Sequence, residues 1–64
     1  MTNEIQHGDR VMCLEASIDR QAHKGDEGII TGFARFSSHH AREAMVKFSD
    51  GSSAWFWARH LSPA

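Results

Sequence analysis

Four short segments of this chain alternate apolar and polar side chains in the two-residue period of a half-buried β-strand. In Arg10-Val11-Met12-Cys13-Leu14, Val11 and Cys13 share one face while Met12 and Leu14 share the other. Ala44-Met45-Val46-Lys47-Phe48 turns Ala44, Val46 and Phe48 inward and Lys47 outward. Ser53-Ala54-Trp55-Phe56-Trp57 puts both indoles on one face and Phe56 on the other. The fourth segment, residues 28–34, is apolar and β-branched, and follows a Lys24-Gly25-Asp26 turn. Gly25 and Gly28 permit a positive φ or a close approach to another strand. Gly32, inside the run, predicts a bulge or sharp bend.

The connections are equally legible. Residues 1–7 read as a flexible polar tail, with the folded domain over 8–64. Residues 15–23 carry no helical stripe and predict a long loop, with Ile18 tucked back as an anchor. Ser37-Ser38-His39-His40 marks a polar loop. Asp50-Gly51 predicts a type I′ hairpin turn. Ala58-Arg59-His60-Leu61 predicts one helical turn, and Pro63 is tolerated on an edge strand. The expected core is Val11, Cys13, Ile30, Val46, Phe48 and Leu61, with Ile29 also shielded. The fold class is therefore all-β. Its leading architecture is a small SH3-like barrel of about five short antiparallel strands with one helical turn near the C-terminus.

Composition narrows the function classes. The 64 residues make one domain whose small core favours association with a partner. With 41% hydrophobic residues, four Phe and two Trp, the chain can fold compactly. No apolar run reaches membrane-spanning length, and residues 1–7 lack a signal-peptide pattern, so a cytoplasmic location away from membranes is expected. The single cysteine, Cys13, excludes an internal disulfide. Net charge is −1, so no global basic signature marks a nucleic-acid binder.

Two features stand out as candidate sites. The first is Trp55-Phe56-Trp57: if Phe56 joins the core, the indoles form a stacking platform for bases or a surface for a partner, unless one caps the barrel and the other lies in a subunit interface. The second is the locally basic stretch containing Arg35, Phe36, His39, His40, Arg42 and Lys47, where cations interleaved with aromatics suit single-stranded nucleic acid. Arg59 follows the indole strand. A solvated loop balanced by Asp26, Glu27 and Asp50 explains the basic stretch as well. The adjacent pair His39-His40 has no spacing partner for a metal, and no base is placed beside Cys13 by motif, so no metal, cofactor or catalytic residue is expected.

Gly8-Asp9-Arg10-Val11 followed by Lys24-Gly25-Asp26-Glu27-Gly28-Ile29-Ile30 resembles the KOW motif of SH3-like barrels in ribosomal proteins and transcription elongation factors, with Ile30 in place of the final Val. Val46-Lys47-Phe48-Ser49-Asp50-Gly51 followed by Trp55 looks Tudor-like. The layout is also similar to type II, plasmid-borne dihydrofolate reductases, which are tetrameric SH3-like barrels. Their catalytic Val-Gln-Ile-Tyr strand falls where this chain has Ser53-Ala54-Trp55-Phe56, and their first-strand lysine falls at Cys13 or Leu14. The amide and phenol are absent. The KOW-like layout and the basic segment over 33–47 together favour a non-catalytic binding module, first for single-stranded RNA or DNA. Protein interaction or homo-oligomerisation is the alternative, and a divergent reductase-like protein stands third.

Overall fold

The computed structural model describes residues 5–20, 23–34 and 42–64. Five antiparallel strands form a single sheet: β1 (Arg10–Cys13), β2 (Glu27–Phe33), β3 (Glu43–Lys47), β4 (Ser53–Trp57) and β5 (Leu61–Pro63). One 3-10 turn, Ala58–His60, separates β4 from β5. The strand order is β4-β3-β2-β1-β5. The chain thus runs as a four-stranded meander, and its last strand returns to pair beside the first. The sheet is open, because β4 and β5 form its two edges. No helix among the described residues is long and apolar enough to cross a membrane.

Strand parity builds the core. Val11, Ile30, Ala44, Val46 and Phe56 have no exposed surface, and Cys13, Ala54, Phe48 and Leu61 are also buried on the same side of the sheet. All six expected core residues are there. Burying each large apolar side chain contributes about 1.5–3 kcal/mol. With no second layer among the described residues to pack against, the sheet coils around its own apolar face, and residues from both edge strands meet in one cluster. Ile5 joins that cluster at 6% exposure, so part of the segment read as a polar tail is packed.

Ile29 departs from expectation. It is 36% exposed, because a strand cannot bury two consecutive side chains on one face, and Ile30 takes the inward position. The hairpin between β3 and β4 also differs from a type I′ turn. Gly51 has φ +90°, whereas Asp50 is not left-handed. The Gly51 N–H donates to the Phe48 carbonyl (3.0 Å) and the Phe48 N–H to the Ser52 carbonyl (2.8 Å). This is a three-residue loop with one glycine in the left-handed position, a second common hairpin solution.

The other glycines divide as their surroundings demand. A Cβ on Gly28 would lie 2.5 Å from Val46 Cγ1 and 2.8 Å from the Lys47 carbonyl oxygen. Only glycine lets β2 pass this close to β3. The expected irregularity near Gly32 is present as a register shift between Ile30↔Val46 and Gly32↔Met45. Ile18 is half-buried, and its N–H donates to the Trp55 carbonyl (2.9 Å), so the long β1–β2 loop folds across β4 as an anchored strap.

Candidate interaction face

The outward positions of the same strands form a second, smaller apolar surface. Trp55 is 38% exposed and faces Met45 across the β3–β4 ladder. Ile29, two strands away from Trp55, lies between Arg10 on β1 and Lys47 on β3 in one cross-strand row. Met12, 37% exposed, faces Glu27 on β2. Leu14, just beyond β1, is exposed as well. Trp55, Met45, Ile29, Met12 and Leu14 therefore run as an oblique row across four strands. A single exposed apolar residue is ordinary, but a contiguous row on one face marks a contact surface.

Charge brackets this row. From Ile29, β2 leads to Glu27 on one flank, where Lys47 also lies, and β1 places Arg10 on the other flank. A shallow depression of about 430 Å³ surrounds Ile29, walled by Arg10, Glu27, Thr31, Lys47 and Ser49. Its lining is mainly apolar, which suits a protruding aliphatic side chain.

Of the residues expected to act together, Trp55, Trp57, Lys47 and Arg59 lie on the outward face and Arg42 does not. Trp55 and Trp57 do share the outward face, and Trp57 is the more buried of the two. The Arg59 guanidinium lies 5.1 Å from a Trp57 ring centroid, within cation–π range. Lys47 is exposed on the same face, opposite Ser53. Arg42 is elsewhere: its guanidinium caps the Phe33 ring at 3.7 Å, on the side of the sheet that packs on the core. Arg35, Phe36, His39 and His40 lie outside the described residues. Met12, Ile29 and Met45 were not singled out from the sequence as surface residues, although alternation from Val11, Ile30 and Val46 turns each of them outward.

Both sheet edges are blunted. Hydrogen bonding from Ala64 N–H to the Arg10 carbonyl and from Leu14 N–H to the His60 carbonyl points the Leu61 and Pro63 backbone away from β1. The Leu61 N–H is taken by the Ala58 carbonyl, and Pro63 has none to offer. On β4 the outward carbonyl of Trp55 is taken by Ile18. Each edge thus has part of its outward hydrogen-bonding capacity already taken, which hinders strand addition there.

A second depression, of about 390 Å³, sits at the hairpin end, with His23, Asp26, Phe48 and Asp50 in its wall. The His23 ring stacks on Phe48 with centroids 4.2 Å apart and 12° between planes, and its Nδ1 lies 3.4 Å from Asp26 Oδ2. This ring seals the end of the core. The Ser52 hydroxyl and backbone N–H both donate to Asp50 Oδ1, at 2.6 and 2.9 Å, and hold its carboxyl below the usual range. Burial, and then the nearby Asp26 charge, push the Cys13 thiol up to about 11. At neutral pH that thiol is protonated and 1% exposed, so it packs as a small apolar side chain. Among the described residues, no group of three or more His, Cys, Asp or Glu is placed to hold a metal ion.

No family model matches the chain, and no curated protein or solved structure matches it significantly.

Proposed function

We propose that this chain is a non-catalytic module that binds protein through the outer face of its sheet. The observation that carries the reading is the oblique row of exposed Trp55, Ile29, Met12 and Leu14, with half-buried Met45 between Trp55 and Ile29, on a face bracketed by both signs of charge. The blunted edges support it, since they hinder strand addition. A meander whose last strand returns to the first, around a single core, supports an SH3-like half-closed barrel as the scaffold. The near-neutral net charge favours protein over nucleic acid.

A second reading, single-stranded nucleic acid, is favoured by one observation: Arg59 over Trp57, with Lys47 on the same face. Against it stand Glu27 and Glu43 on that face; Glu43 lies directly opposite Trp57. A reductase reading has no support from residues, because the positions of the catalytic strand hold Ser53, Ala54, Trp55 and Phe56. Purified protein is expected to show no dihydrofolate-dependent oxidation of NADPH.

The test compares wild type with Ile29→Glu and Trp55→Glu, both checked for an unchanged fold by circular dichroism. Protein captured by the immobilised wild type should be lost from both variants. Capture that ignores these substitutions would sink the proposal. So would tryptophan quenching by a single-stranded oligonucleotide that weakens steeply with added salt, which would install the second reading instead.

A further inference from the structure

The outer face carries the means of recognising itself. Resting on the reading that this face is the binding surface, we propose that its occupant is a second copy of the chain, docked face to face about a two-fold axis along the Trp55-Met45-Ile29-Met12 row. Such an axis sets each flank of the row against the opposite flank of the partner, because a two-fold interface brings one patch against itself.

One pair of flank charges is complementary under that operation, with Lys47 lying beside Glu27 on its flank. Glu27 lies on one side of the row, two residues along β2 from Ile29, and Arg10 lies on the other side, directly across from Ile29. Turning one copy over along the row brings each Glu27 over the partner's Arg10, twice per dimer. The row meets itself, so Ile29 packs near the axis and flanking side chains fill the depression around it. Nucleic acid would have to face Glu27 and Glu43 on this surface, whereas a second copy neutralises Glu27.

A 64-residue domain with a small core also gains stability from covering such a face.

Sedimentation equilibrium on the full chain reads the proposal directly. The wild type should sediment at twice its 7.2 kDa monomer mass. Arg10→Glu and Glu27→Arg should each weaken dimerisation by about tenfold or more, since each places two pairs of like charges across the axis. The double variant Arg10→Glu/Glu27→Arg should recover most of the wild-type affinity. Ile29→Glu should give a folded monomer by circular dichroism. A wild type that stays monomeric at millimolar concentration would overturn the proposal, and so would single charge swaps that leave the dissociation constant unchanged or a double variant that fails to recover. A monomeric wild type whose capture of another protein is nonetheless abolished by Ile29→Glu would also overturn self-association, while leaving the protein-binding face in place.

Discussion

The two faces of this sheet are built from the same strands and nearly the same residue types, yet they do different work. The inner face puts Val11, Ile30, Val46 and Phe56 wholly out of water, and the outer face leaves Met12, Ile29 and Trp55 at more than a third exposure. Hydrophobicity does not separate the two sets, because Ile29 and Ile30 are neighbours in the chain. Position in the pleat separates them. A single curved sheet in a chain of 64 residues has one interior, so apolar residues of the opposite parity stay at least partly at the surface. Such a surface is kept either for a partner or at a cost in solubility, which is why the outer row carries the functional proposal.

Substituting the two faces in parallel tests how different they are. Phe56→Ala should cost about 3–5 kcal/mol through lost burial and a cavity. A core this small supplies stability of about that size, so the variant should be largely unfolded by circular dichroism at 25 °C. Trp55→Ala, one residue away, should cost no more than about 1 kcal/mol in dilute solution. If the two variants melt alike, the indole belongs to the core and the comparison fails.

Glycine gives the next contrast. Gly28→Ala must push a Cβ into Val46 and the Lys47 carbonyl, and should cost about 1–3 kcal/mol in urea unfolding. Gly32→Ala meets nothing within 4 Å among the described residues and should change stability by no more than about 0.5 kcal/mol. Equal effects would mean that β2 does not approach β3 as described.

A third measurement uses Cys13 to report on the inner face alone. Its folded pKa lies above its unfolded one, so the unfolded state loses its proton first as pH rises. Stability is then fully present below about pH 9 and falls between about 9 and 11. The loss should be on the order of 2 kcal/mol. Cys13→Ala should flatten that part of the pH profile, whereas Met12→Ala on the outer face should leave it in place.

The smallest effect belongs to the hairpin. Removing the Ser52 hydroxyl should raise the Asp50 pKa toward the ordinary carboxylate value, read by NMR titration. Because the folded pKa of Asp50 is depressed, its contribution to stability is present above the unfolded pKa and is lost as pH falls through the folded one. An unmoved pKa in Ser52→Ala would show that the hydroxyl does not hold the carboxylate.

Much of this was legible in the chain because strand parity is a local property. Alternation through Val11-Met12-Cys13 and Ala54-Trp55-Phe56 assigned inside and outside without any knowledge of pairing. Trp55 and Trp57 were bound to share a face once Phe56 turned inward. Ile29 was misplaced because two consecutive isoleucines both look like core when weighed by hydrophobicity, and parity allows only one. The type I′ expectation at Asp50-Gly51 failed for a related reason: the dipeptide permits two hairpin geometries, and the loop length that selects between them depends on the register of β3 against β4.

The sequence by itself determined the first four strands, the turn glycines, the all-β class and most of the core, since each rests on side-chain periodicity or backbone freedom within a few residues. Tertiary structure alone decided the rest. The three-residue β5 exists because β1 pairs with it, and no propensity over Leu61–Pro63 specifies a strand. Ile5 is buried because the fold has room for it beside the core. Arg42 meets Phe33 instead of the indoles because it lies just before β3, across from the end of β2, at a distance along the chain that no motif encodes. The oblique row on the outer face, and the placing of Arg10 and Glu27 on its opposite flanks, follow from the registers of four strands. Those registers are set by long-range hydrogen bonds and by packing on a shared core, and they can be seen only when the strands are side by side.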